Sequence, residues 1–184
     1  MASAKAEGLP AQAASTGGPL ASEWMVGAGV AWSVPLYASA GGRSYVWQTV
    51  SWGRELSGGG GPGMLHGRFV WAIEVAPIYG QFSPAAAYGV GISPLFWRWN
   101  FDPRGRWAPF AELSMGGLWT TAPVPEGTSS ANFTAHAGIG TRIRASPRAA
   151  WLAGFRFQHI SNGNLASVNP GVNAPMAWGG VSWK

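Results

Sequence analysis

From Trp24 onward the chain alternates apolar and polar residues in segments of about nine to fifteen residues, each closed by a turn-rich break. Alternation puts successive side chains on opposite faces of an extended strand, so each segment has a greasy side and a polar side. No helical 3.6-residue repeat competes with this pattern. The segments fall at residues 24–33, 45–56, 65–79, 85–99, 106–120, 131–144, 149–161 and 175–184. The breaks at Gly58 to Gly63, Asp102-Pro103-Arg104-Gly105, Pro123 to Gly127 and Ser146-Pro147 carry the residues that turns require. The pattern predicts eight strands and an all-β fold.

Which face is buried decides between a soluble barrel and a membrane one. Phe133, Ala135, Ala137, Ile139, Thr141 and Ile143 line one face of their segment, and Asn132, Thr134, His136, Arg142 and Arg144 the other. Trp107, Ala111, Leu113, Met115 and Trp119 oppose Glu112 and Ser114; Phe69, Trp71, Ile73 and Val75 oppose Arg68 and Glu74. Aromatics stand near the ends of several apolar faces, as the girdles of a membrane barrel require. Only 10% of residues are charged and 12 are Trp, where an ordinary soluble domain carries about 25% charge. No window approaches the ~20 apolar residues of a membrane helix, so a closed barrel is the route by which this backbone could be satisfied in lipid. The expectation is an eight-stranded antiparallel transmembrane β-barrel over residues 23–184. Inside it, Glu74 and Glu112 would meet Arg98, Arg142 or Arg156, since charges pair more cheaply in a filled interior than against lipid. A lipocalin-like soluble barrel with its apolar face inward is the rival architecture.

Composition narrows the function further. The 184 residues make one domain, and residues 1–22, rich in Ala, Gly, Ser and Pro, read as a flexible leader or signal-peptide remnant. Zero cysteines exclude disulfides, thiol catalysis and Cys-ligated metal. No His/Asp/Glu grouping has metal-ligand spacing, and the Gly58 to Gly63 run lacks the Lys-Ser/Thr of a phosphate loop. No metal or cofactor is expected. The net charge of +5 is spread without a Lys/Arg run, which gives nucleic-acid binding little support. Such an excess suits an anionic lipid head group or simple solubility.

One segment breaks the pattern. Along residues 151–161, His159 and Ser161 share a face with Trp151, Ala153, Phe155 and Phe157, while Arg156 and Gln158 occupy the other. An unpaired buried polar group costs about 1–3 kcal/mol, so the greasy side is an odd place for two of them. The pair has a chemical logic. A Ser hydroxyl is a weak nucleophile until a base takes its proton, and His is the usual base near neutral pH. A third group must hold the imidazole, and a donor must meet the oxyanion; Asn162, beside Ser161, offers an amide. His-x-Ser spacing alone is common and favours a plain polar strand end. Of the other histidines, His136 is expected inside and hydrogen-bonded, and His66 solvated.

The longer string His159-Ile160-Ser161-Asn162-Gly163-Asn164, followed by Asn169-Pro170-Gly171-Val172-Asn173, resembles the C-terminal signature of the lipid A 3-O-deacylase (PagL-like) family. These are outer-membrane enzymes that remove an ester-linked acyl chain from lipopolysaccharide. The eight segments and Glu74 extend the likeness loosely over residues 24–184. The resemblance implies a cofactor-free serine esterase in the bacterial outer membrane, hydrolysing the 3-O-linked acyl chain at a site on the barrel's lipid-facing wall. It implies Ser161 as nucleophile, His159 as general base, and an oxyanion hole from Asn162 and a backbone amide of the Gly163-Asn164 turn. Phe155 and Phe157 would lie against the acyl chain. The implied partners are lipopolysaccharide and outer-membrane lipid, and a homodimer is compatible with them. Twelve residues after the Ser, where the family has Glu, this chain has Asn173. An amide oxygen can orient an imidazole but supplies no charge. Three readings stay open: a triad that uses Asn173, a site that recruits another acid, or a weakened or non-catalytic barrel with a structural or lipid-binding role.

Overall fold

Each alternating segment becomes a strand of one continuous wall. The strands are β1 (Ser22–Trp32), β2 (Ser44–Glu55), β3 (Gly67–Ser83), β4 (Ala87–Phe101), β5 (Trp107–Thr120), β6 (Ala131–Arg144), β7 (Ala149–Ser161) and β8 (Val172–Trp183). The computed structural model describes residues 20–184, and the expected leader up to residue 19 lies outside them. Neighbours in sequence pair antiparallel, and β1 also pairs with β8, with Trp24 opposite Trp183 and Ala31 opposite Met176. The sheet therefore closes into a barrel. Closure leaves no unpaired edge, which is the condition for crossing lipid with strands.

Two boundaries differ from the sequence expectation by three residues or more. β3 continues past residue 79 because Gly80 and Gln81 still pair with Tyr88 and Ala87, which confines the connection to residues 84–86. β8 begins at Val172 and not at residue 175, with Val172 and Asn173 opposite Ile160 and His159. The Asn and Pro residues around 169–175 read as a turn, but the turn ends at Gly171, whose φ of 67° lies in the left-handed region.

The faces follow the predicted parity. Trp107, Leu113, Met115, Trp119, Phe133, Ile139, Trp151, Phe155 and Phe157 are all exposed on the outer wall. Aromatics gather at its two rims. Trp24, Trp107, Trp151 and Trp183 ring the lower end, where β1 begins and β8 ends; Trp32, Phe82, Tyr88, Trp119 and Phe133 ring the upper. From Trp151 to Ser161, at ~3.3 Å per residue and a ~40° tilt, the wall climbs ~25 Å, the height of a lipid-facing band.

The interior is filled, not a pore. Two apolar clusters, one containing Tyr45, Trp47, Tyr79, Leu118 and Met176 and the other Met25, Phe96, Phe110 and Leu152, occupy the lumen. Buried charges complete it. Arg156 donates to Glu74 at 3.0 and 3.1 Å and to Glu112 at 2.6 Å, while Arg98 donates to Glu112 at 2.7 and 3.0 Å. The guanidinium of Arg98 lies 4.4 Å from the Phe110 ring centre and that of Arg156 4.6 Å from Trp178. A Cβ at Gly140 would come within 2.4 Å of the Phe110 ring, so only glycine leaves room for that stack. His136 is inside, as expected, but neither ring nitrogen has a protein partner among the described residues; the ring packs edge-on against Trp47.

Removing one partner of a buried ion pair costs about 3–5 kcal/mol, because the remaining charge is left without compensation. Glu112→Ala leaves Arg98 without a carboxylate and takes one of two carboxylates from Arg156. It is expected to lower unfolding stability in urea by at least that amount, read from tryptophan fluorescence or from loss of heat-modifiable gel migration. A loss below about 1 kcal/mol would show that the network contributes little.

Candidate active site

The upper end of β7 carries the His-Ser pair. Arg156, Gln158 and Ile160 are buried in the lumen, so the intervening Phe155, Phe157 and His159 must face out, and all three are exposed. Ser161, half-buried, ends the strand opposite Phe133 of the upper aromatic rim. Beneath the pair lies a groove of about 440 Å³ on the outer wall, lined by Ala137, Ile139, Phe155, Phe157 and Pro175 and, beside Gly138, by the paired Glu112 and Arg156. The strands beside it bear small residues where bulk would fill it: Ala135 opposite His159, Ala137 and Pro175 opposite Phe157, and Ala177 opposite Phe155.

Asn173 comes to the imidazole. Register alone places it beside His159 on β8, and its Oδ1 lies 2.7 Å from His159 Nδ1. Yet Asn173 is buried although it shares an outward face, because the β1–β2 connection (residues 33–43) folds over it. Val34 N–H donates to the Asn173 carbonyl, Ala40 N–H to the Gly171 carbonyl, and Asn173 Nδ2 donates to the Leu36 carbonyl at 3.0 Å. This last bond fixes the amide. A carbonyl can only accept, so the Asn173 NH₂ must face Leu36 and the oxygen must face His159. An amide oxygen also only accepts, so the neutral imidazole must carry its proton on Nδ1 and leave the Nε2 lone pair free.

Gly171 packs against the other edge of the ring. A Cβ there would meet His159 Cε1 at 3.0 Å and Nε2 at 3.7 Å. Its left-handed φ and this close approach both select glycine.

Ser161 and His159 share the outer face without a hydrogen bond between them, and no protein partner holds the Ser161 hydroxyl among the described residues. Asn162 and Asn164, expected at an oxyanion hole, hydrogen-bond within the loop that follows β7. The Asn162 side chain is buried, donates through Nδ2 to the Val168 carbonyl at 2.9 Å and accepts the Asn164 N–H on Oδ1 at 3.0 Å. These bonds take the Asn164 N–H and one of the two Asn162 Nδ2 hydrogens, and the Asn162 side chain is turned away from the outer face. The parity of β7 explains this, since Asn162 follows Ser161 and turns inward. Asn169 closes the arrangement by accepting from Asn162 N–H at 3.1 Å and donating to Asn164 Oδ1 at 2.9 Å. Asn169 belongs to the string that carries the family resemblance, but nothing in the sequence pointed to this brace. The Gly163 N–H, two residues past Ser161, has no acceptor among the described residues. The Phe133 ring lies against that glycine, 3.0 Å from where a Cβ would stand. Elsewhere, His66 is exposed as expected and bonds Asp102 at 2.7 Å. No group of three or more metal-ligating side chains exists among the described residues.

A closed, filled barrel with an apolar outer band, two aromatic rims and a polar pair on its lipid face is an outer-membrane β-barrel, and the bacterial outer membrane is where this chain resides. Residues 26–181 match the lipid A 3-O-deacylase (PagL) family, and the chain belongs to it. The crystal structure of the outer-membrane enzyme PagL is similar in fold, with a TM-score of 0.64 at 16% identity over 85% of this chain and 97% of that one. Neisserial surface protein A (NspA) is also similar, with a TM-score of 0.59 at 14% identity over 89% of this chain and 96% of that one. No curated protein sequence matches the chain.

The amide geometry makes a spectroscopic prediction. In the ¹⁵N spectrum of the folded barrel, neutral His159 is expected as the Nδ1–H tautomer, with Asn173→Ala releasing a mixture of tautomers. An Nε2–H tautomer in the unmodified protein would contradict the assigned orientation of Asn173.

Proposed function

We propose that this protein is a lipid A 3-O-deacylase, a serine esterase that hydrolyses the 3-O-linked acyl chain of lipopolysaccharide from the lipid side of the barrel wall. The observation that carries this reading is the 2.7 Å contact of Asn173 Oδ1 with His159 Nδ1, made by an amide that Leu36 holds in orientation. In a Ser-His-Asp triad, replacing the acid by an amide costs on the order of 10⁴ in rate, chiefly because the imidazole takes the wrong tautomer. Here the Leu36 carbonyl removes that fault by occupying the NH₂. What is missing is only the negative charge that stabilises imidazolium.

The steps then follow. An acyl chain lies along the groove over Phe155 and Phe157, which brings its ester carbonyl to the upper rim beside Ser161. His159 Nε2 takes the Ser161 hydroxyl proton as Oγ attacks the carbonyl carbon. The Gly163 N–H meets the oxyanion, in place of the Asn162 side chain and the Asn164 N–H, which the loop already uses. Collapse breaks the ester bond, and imidazolium returns the proton to the departing sugar 3-hydroxyl. Water, deprotonated by His159, attacks the acyl-serine and releases the fatty acid with Ser161 restored. No cofactor enters any step. The substrate and the surrounding outer-membrane lipid are its partners.

The test is lipid A mass spectrometry after incubating purified barrel with lipopolysaccharide. The active protein is expected to remove one acyl chain, and Ser161→Ala to abolish removal. Removal that persists in Ser161→Ala would overturn the assigned nucleophile. Absence of removal by the unmodified protein would favour a non-catalytic barrel, the reading suggested by the uncharged Asn173.

A further inference from the structure

The sequence scatters its cations, but the fold gathers them at one end. The four buried charges of the lumen balance one another, and at the upper end Arg43 pairs with Glu126. The positive excess sits at the lower rim. There a cavity of about 260 Å³ is lined by Arg106, Arg142, Arg144, Arg148 and Lys184 and by no acidic residue. Arg142 reaches inward to Glu23, and Lys184 lies 3.5 Å from Glu55. Arg106, Arg144 and Arg148 have no carboxylate partner among the described residues. Arg106 instead donates to the Arg144 carbonyl at 3.3 Å and Arg144 to the Gly105 carbonyl at 3.4 Å, which ties together the β4–β5 and β6–β7 turns that bear them.

Like charges held in one concavity repel, and the repulsion is relieved by an anion placed among them. The depth of the cavity identifies which anion. Trp107 and Trp151 both pair with Ile143, and Arg144 is the next residue beyond that row. Trp183, opposite Ala149, completes the aromatic rim on the same side. Tryptophans of this kind sit at the level of lipid head groups. Guanidinium groups present planar donor pairs that match phosphate oxygens, and basic pockets at this depth are suited to anionic phospholipid head groups.

We infer that the lower-rim cavity is a binding site for a phosphate-bearing anion, presented as the head group of an anionic phospholipid in the leaflet opposite the candidate active site. The site stands on the charge distribution and the aromatic rim, so Ser161→Ala protein gives the same binding result.

The full-length barrel is equilibrated with phosphatidylethanolamine vesicles containing phosphatidylglycerol and extracted into mild detergent, and retained lipid is counted by native mass spectrometry. A parallel arm offers inorganic pyrophosphate in zwitterionic micelles and reads the unfolding temperature. Phosphatidylglycerol is expected to be retained over phosphatidylethanolamine. Arg148→Gln and Lys184→Gln, whose side chains brace no turn, should each lower retention about fivefold, whereas Arg54→Gln, outside the cavity, should not. Stabilisation by pyrophosphate without lipid selectivity, lost in the same two variants, keeps the phosphate site and makes a soluble anion its ligand. No lipid preference together with no pyrophosphate effect overturns the site, as does binding unchanged in both variants.

Discussion

Arg156 fixes the orientation on which the rest of this barrel depends. It reaches two carboxylates, Glu74 on β3 and Glu112 on β5, from the inward face of β7. Turning it outward would expose an unpaired guanidinium to lipid, strand Glu74 in the lumen and leave Glu112 to Arg98 alone, at several kcal/mol for each uncompensated charge. A one-residue slip of the strand is thereby excluded, because it would exchange every side chain between lumen and lipid. With Arg156 inside, Phe157, His159 and Ser161 must be outside. The polar pair sits against lipid because the ion network leaves its strand no alternative parity.

That logic explains what was legible in the sequence. The alternation around Glu74, Glu112 and Arg156 foretold both the filled interior and the outward face of His159 and Ser161. The barrel's strand count follows from the turn-rich breaks for the same local reason. The companion of Asn173 was not legible. Its orienting group is the Leu36 backbone carbonyl, 137 residues away, and a carbonyl has no residue type to betray it. The inward turn of Asn162 could have been read from parity, since it follows an outward Ser161, yet its partner Val168 belongs to a loop without periodicity. The lower-rim cavity is likewise invisible along the chain, because its cations come from two separate turns, a strand and the last described residue.

The two ends of the barrel are thus chemically unlike. The upper end has little net charge, a groove of small residues and phenylalanines, and an exposed imidazole on the outer wall. The lower end is strongly cationic at head-group depth. A single orientation in an asymmetric bilayer would accommodate both proposed sites, one at each rim. The chain belongs to the lipid A 3-O-deacylase (PagL) family and has the fold of an outer-membrane barrel. Asn173, held by the Leu36 carbonyl, orients the His159 imidazole through an amide oxygen.

The central claim is that Ser161 is an activated nucleophile reached from lipid. A long-chain alkyl fluorophosphonate, delivered in bilayers and mapped by peptide mass spectrometry, tests it most directly. Phosphonylation confined to Ser161, and lost in His159→Ala, is the result this account predicts. An unlabelled Ser161 in the folded barrel, or labelling that survives removal of the imidazole, would contradict it.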